Sequence, residues 1–242
     1  MDSNPKTYDH IASAARIDGI LAQPQGNYEE RDSLPDRSVL TYTNGFYAKM
    51  HCAVRGPPRL VEASGRLQAP LSGSSYRAFI SETVAIFNSD TGVREINIVG
   101  DCVWAVYNTP YKRDIDGIFS LACKTNSLLQ ILNYKLARSN YKTPIRAGIG
   151  LAWGRALMIK AGYSGSGLQD VVYMGDVVNR AAKFAARGSK TLWTSPIMID
   201  SDFASNLNDH NRALTINDYR YGCHTADAVD AAMSDWYEEN CK

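Results

Sequence analysis

No apolar run in the sequence approaches the ~18 residues that a membrane-spanning helix requires, so a helical membrane protein is not expected. The opening stretch, MDSNPKTYDHIASAARIDG, lacks the basic-then-apolar plan of a secretory signal. Cysteine is sparse. Cys52, Cys102, Cys123, Cys223 and Cys241 are odd in number and form no CxxC pair. That pattern argues against both a disulfide framework and a zinc site, and a cytoplasmic, reducing setting is expected. Neither sign of charge is in excess: Lys and Arg total 26, Asp and Glu 25, for a net charge of +1. The balance gives no electrostatic case for a nucleic-acid partner or a membrane surface.

What is present is a chain of 242 residues, 45% hydrophobic and 21% charged. Those values describe a soluble globular protein long enough for one sizeable core with decorations. Residues 1–44 are polar and punctuated, and predict a short helix near 7–21 followed by an extended arm. GFYAKMHCAV (45–54) reads as a strand that ends at Arg-Gly-Pro-Pro. SSYRAFISETVAIFN (74–88) has near-helical spacing, with Ser74 or Ser75 as a cap. Strands are expected at 93–99 and 102–108, around Gly100-Asp101.

A long helix follows at 114–140, its apolar stripe made by Ile118, Leu121, Leu128, Leu129, Leu132 and Leu136. IRAGIGLAWGRALMIKAG (145–162) suggests two strands around Gly154. GDVVNRAAKFAARG (175–188) suggests a helix stopped by Gly188, and TLWTS (191–195) a short strand. This order predicts an α/β sandwich, a mainly antiparallel sheet with flanking helices.

Three stretches could bear chemistry. Asp101, at the tip of a hairpin between strands that want burial, suits a divalent ion, although Gly-Asp is also an ordinary turn. Asn179 and Lys183 lie i, i+4 on one helix face, where an amide and an ammonium could hold a sugar and an anion. CAVRGPPRL (52–60) runs a strand into a turn whose backbone N–H groups could cradle phosphates, with charge from Arg55 and Arg59.

Taken together, their order resembles the class III nucleotide cyclase domain, over about residues 45–200. NIVGDCVWAVY is similar to the family's metal-bearing hairpin, and IRAGIGLAWGRALM to its Gly-Ile-x-x-Gly strand pair. YMGDVVNRAAKFAA resembles the Gly-Asp-x-Val-Asn-x-Ala-Ala-Arg helix. HCAVRGPP stands where the family has Phe-x-Asp-Ile-x-Gly-Phe-Thr. The resemblance implies a ferredoxin-like catalytic domain at 45–200, an N-terminal arm at 1–44 and a C-terminal extension at 201–242 packed on the same domain.

The resemblance also implies roles. Asp101 takes the place of one metal aspartate, and the backbone carbonyl of Val54 is a further ligand for two Mg²⁺ or Mn²⁺ ions. Arg55 and Gly56 belong to the nucleotide-binding stretch. Asn179 would orient the ribose, and Lys183 replaces an arginine that stabilises the transition state, an exchange of a planar fork for a point charge. Lys160, Lys190 and Arg220 are candidates for a further phosphate contact. The other metal aspartate falls on Ala53, so the chain as written is expected not to turn over. A naturally degenerate enzyme and a deliberate exchange that traps nucleotide are both open, and the completeness of the other motifs favours the second.

Base selection in the family rests on two positions, here Asn97 and Val172. Neither the Lys/Asp pair of adenylate cyclases nor the Glu/Cys pair of guanylate cyclases is present. An amide suits a pyrimidine edge, and the chain is most similar to the pyrimidine cyclases of bacterial Pycsar anti-phage systems. Those imply UTP, or alternatively CTP, as substrate, a cyclic nucleotide that activates a separate effector, and a head-to-tail homodimer with composite sites. A pseudo-cyclase that only binds nucleotide is the non-catalytic alternative. A diguanylate cyclase would show a paired acid in the hairpin, which IVGDCVWAV lacks. A purely structural domain would leave Asp101 and Asn179 in unrelated places.

Overall fold

A computed structural model describes residues 8–22, 28–55, 59–60, 73–141, 144–163 and 168–241, without the side chains of 51–55, 59–60, 163 and 168. In chain order the elements are α1 (His10–Leu21), β1 (Tyr28–Arg31), β2 (Gly45–Arg55), β3 (Arg59–Leu60), α2 (Gly73–Phe87), β4 (Val93–Val99), β5 (Cys102–Tyr107) and α3 (Lys112–Arg138). They continue with β6 (Ile145–Arg146), β7 (Ile149–Tyr163), β8 (Leu168–Met174), α4 (Asp176–Arg187), β9 (Ile197–Ile199), α5 (Ser201–Asn206), α6 (Asp209–Ala213), β10 (Ile216–Asp218), β11 (Cys223–Ala226) and α7 (Ala231–Asn240). The chain divides into two compact units, residues 1–49 with 155–175, and residues 50–154 with 176–242.

In the larger unit the strands run in the order β10-β11-β9-β7-β2-β5-β4. β4 and β5 form an antiparallel hairpin, β2 pairs antiparallel with β5, and β9 pairs parallel with β7. The sheet is therefore mixed and mainly antiparallel, with helices packed on it. Its core forms because β5 alternates: Val103, Ala105 and Tyr107 meet Phe87 of α2, Ile115, Ile118 and Phe119 of α3, and Phe203 of α5. Each large apolar side chain buried there contributes about 1.5–3 kcal/mol. The Tyr107 hydroxyl, buried with it, donates to the carbonyl of Phe87 at 3.0 Å. The stripe of α3 is buried as its spacing predicts. α3 starts where the Asp114 carboxylate accepts from the Tyr111 N–H at 3.0 Å.

α4 lies close against β7, and the glycines at that strand are the reason. A Cβ on Gly150 would sit 2.0 Å from the carbonyl oxygen of Ala181, and one on Gly148 would sit 2.3 Å from that of Ala185. Ala181 and Ala185 complete a surface of small residues on the helix side. Gly148 and Gly150 thus make a docking face for α4.

In the smaller unit, β1 pairs parallel with β2 and β8 pairs antiparallel with β7. The Tyr42 hydroxyl bonds to Gln169, and Arg37 pairs with Asp170. The arm expected to be merely extended supplies an edge strand, β1.

Three expectations need correction. β7 runs unbroken through Gly154, and the interruption falls instead at 147–148. Gly154 admits Val177 and Arg180 of α4, whose atoms lie 3.4 and 3.2 Å from where its Cβ would be. TLWTS is a turn, not a strand; the strand is Ile197–Ile199, where all three residues are buried. Ser74 and Ser75 lie inside α2, and Ser75 is buried. Among the described residues no helix is long and apolar enough to cross a membrane.

Candidate active site

Gly100 and Asp101 form the two-residue connection between β4 and β5, since Val99 pairs with Cys102. Gly100 has φ 61° while Asp101 stays out of the positive region. Glycine first and a non-glycine second is the arrangement of a type II′ hairpin turn. Asp101 is half-buried, and the Cys102 thiol lies 3.9 Å from its Oδ1. The end of β2 runs alongside: Ala53 is in register with Ala105, Val54 with Trp104 and Arg55 with Val103. The backbone of 53–55 is thereby held on the strand next to the Asp101 hairpin. The Arg55 side chain and all of Gly56 lie outside the described residues.

This donor set does not fit two bridged cations. Asp101 is one carboxylate, and alanine at 53 has no ligand atom in its side chain. Among the described residues no three His, Cys, Asp or Glu side chains gather as a metal cluster. A single divalent ion resting on Asp101 and on a substrate's own phosphates is what such a set allows.

Asn97 stands on β4 opposite Trp104, four residues before Asp101. Its Nδ2 donates to Glu95 Oε1 at 3.0 Å, and Glu95 is only 8% exposed. Sequence reading passed over Glu95, because a charge in an edge hairpin reads as solvent-facing. The signal was its i, i+2 spacing to Asn97 on one strand face. Val172 is on β8 in the smaller unit, opposite Ile159, and is 37% exposed.

α4 presents Asn179, Ala182 and Lys183 outward while Val177, Ala181, Phe184 and Ala185 are buried. The amide and the ammonium therefore share one open face, as the i, i+4 spacing requires. Between them and the core sits a second feature that sequence reading missed. Arg180 donates to the Trp153 carbonyl at 3.1 Å and lies 3.4 Å from Asp200 and 3.6 Å from Asp202. Asp200 also accepts from the N–H groups of Trp153 and Phe203, at 3.2 and 2.6 Å. Burial nevertheless pushes its carboxyl up to about 6. A cavity of about 470 Å³, lined by Asn126, Asn133, Arg146, Trp193 and Asp227, includes none of Asn97, Asp101, Asn179 or Lys183.

No family model matches the sequence. It is 39% identical over 237 residues to a uridylate cyclase of Gulbenkiania mobilis, covering 90% of this chain and 88% of that protein. The chain belongs to the class III nucleotide cyclases, in the branch of the uridylate cyclases. A uridylate cyclase of Treponema porcinum is 32% identical over 236 residues, covering 95% of this chain and 80% of the other. Among solved structures, the adenylyl cyclase CyaB from P. aeruginosa shares the fold, with a TM-score of 0.54 at 18% identity over 71% of this chain and 84% of that one. Membership makes the chain a nucleotide cyclase, a phosphorus–oxygen lyase.

Proposed function

We propose that this chain is a pyrimidine nucleotide cyclase whose substrate is UTP, and that Ala53 holds it inactive. The observation that carries the reading is the 39% identity to a protein named uridylate cyclase over most of both chains. In the reaction the ribose 3′-oxygen attacks the α-phosphorus and loses its proton. A new P–O bond forms, the α–β bridging bond breaks, and pyrophosphate leaves with the electron pair, giving cyclic UMP. With a carboxylate restored at position 53, divalent ions, Mg²⁺ or Mn²⁺, would supply activation of the hydroxyl and neutralisation of the phosphates. Of this chain's own residues, Asn179 orients the ribose and Lys183 places a positive charge where phosphate charge develops. Asp101 is the one carboxylate left for cation binding, the Val54 carbonyl on the neighbouring strand is the further ligand of the reading, and Arg55 and Gly56 serve the phosphates. Asn97 and Val172 are the base-reading positions.

Nothing in this arrangement requires Asp101 and Asn179 to act within one subunit. The reading is a homodimer in which the hairpin of one copy meets α4 of the other, working in the cytoplasm as part of a phage-defence circuit with a separate effector. The test is Ala53→Asp, given each of the four nucleoside triphosphates with Mn²⁺ or Mg²⁺, with the product identified by mass. Cyclic UMP is expected. Cyclic CMP as the main product would replace UTP by CTP. Ala53 itself favours a second reading, a pseudo-cyclase that binds nucleotide and signals by shape. Tight nucleotide binding with no product from Ala53→Asp would establish that one.

A further inference from the structure

Glu95 is a carboxylate placed at 8% exposure on β4. Burial of a charged group is tolerated where donors reach it. The Asn97 amide is one such donor, Nδ2 to Oε1 at 3.0 Å. An ionised carboxylate accepts and cannot donate. The two ends of an Asn amide are otherwise interchangeable in shape, but here chemistry settles them: Nδ2 faces Glu95 and Oδ1 faces away. Asn97 is half-buried, with the turn bearing Asp101 four residues along the same hairpin.

We propose that Glu95 is a positioning residue that turns Asn97 from a two-way amide into an acceptor, so that the site selects uracil over cytosine. This rests on the reading that Asn97 faces the base of a bound pyrimidine nucleotide. Uracil carries a hydrogen on N3; cytosine carries a lone pair there. In the proposed pose Oδ1 meets N3, where uracil donates a hydrogen bond and cytosine sets lone pair against lone pair, the 4-amino group being cytosine's one donor on that edge. A lost bond together with an unpaired acceptor is worth about tenfold or more in affinity. Discrimination of this kind is achieved by repulsion of the wrong ring as much as by attraction of the right one.

Glu95→Gln is the informative change. It keeps shape and volume but offers either an oxygen or an NH₂, so the Asn97 amide can take both orientations. The chain as it stands is suited to binding measurements, because Ala53 is expected to prevent turnover. Isothermal titration with UTP and with CTP, both in Mg²⁺, should give at least about tenfold tighter binding of UTP. In Glu95→Gln the ratio should fall to within about threefold, mainly through gain of CTP, with the melting temperature little changed. Asn97→Ala, at a half-buried strand position, should lose the preference too, and it decides the matter if Glu95→Gln does not fold. A UTP preference that survives in either folded variant overturns the positioning role and leaves the pyrimidine-cyclase reading standing. Equal affinities, or a preference for CTP, in the unmodified chain overturn the selection itself. Binding of neither nucleotide overturns both.

Discussion

The Arg180 guanidinium reaches across from α4 to lie 3.4 Å from the Asp200 carboxylate while donating to the Trp153 carbonyl. Arg180 directly follows Asn179, so this contact fixes the first turns of α4 against β7 and the start of α5. Arg180→Met keeps the apolar stem and removes the charged head. Asp200 then stays buried with backbone donors alone. Arg180 is 39% exposed, which moderates the loss to about 1–3 kcal/mol. Urea unfolding at pH 7 measures it, and an unchanged midpoint would show that the anchor contributes nothing.

Asp200 makes stability depend on pH. Its carboxyl is raised from 3.8 to about 6, chiefly by burial. Between those values the folded chain holds a proton that the unfolded chain has released. The stability this group contributes is therefore present in full below about pH 4 and is lost as pH rises through about 6, by up to ~3 kcal/mol. Asp200→Asn keeps an oxygen to cap α5 and removes the titration. Urea melts from pH 4 to 7 should show the unmodified chain losing stability relative to Asp200→Asn as pH rises. Parallel curves would contradict the shift.

Gly150 tests the docking of α4. Alanine there would place a Cβ 2.0 Å from the Ala181 carbonyl oxygen and 2.6 Å from the Ala185 nitrogen, both of them backbone. The helix must move away, taking Asn179 and Lys183 with it. Gly150→Ala is expected to destabilise by about 3 kcal/mol or more, read as a fall in melting temperature, whereas alanine at the open Gly73 should cost far less.

A composite site predicts complementation. On the proposed reading the unmodified chain lacks a carboxylate at position 53, and the double variant Ala53→Asp, Asn179→Ala lacks the amide that orients the ribose, so each alone is expected to be inactive. Mixed, they form a heterodimer with one complete site, and cyclic nucleotide should appear. No product from the mixture, when Ala53→Asp alone is active, would place both positions in one subunit's site.

Burial also governs the thiols. It pushes Cys123 up to about 12 and Cys223 up to about 11. At pH 8 both remain neutral and unreactive. Alkylation followed by peptide mass analysis should label half-buried Cys102 well before either, and fast labelling of Cys123 would contradict the packing of α3.

The elements legible in the sequence are those whose signal is local. α3 announces itself through a stripe at three- and four-residue steps, α4 through small and apolar residues on one side, and the β4–β5 hairpin through β-branched and aromatic residues around Gly-Asp. Gly154 misled for a physical reason. A glycine inside an apolar run reads as a break, yet here it makes room for Val177 and Arg180 above an unbroken strand. TLWTS misled because its apolar residues are exposed, Trp193 at 90%, while the buried strand next to it is only three residues long.

By itself the sequence determined which residues alternate or recur, and so the hairpin carrying Asp101, the helix carrying Asn179 and Lys183, and the alanine at 53. Only the tertiary structure decided that Glu95 is buried and bonded to Asn97, that glycines let α4 sit on β7, and that Arg180 is tied to Asp200. Periodicity records which side of an element is apolar. Which polar groups lose water, and so must find each other, depends on what the rest of the chain packs around them.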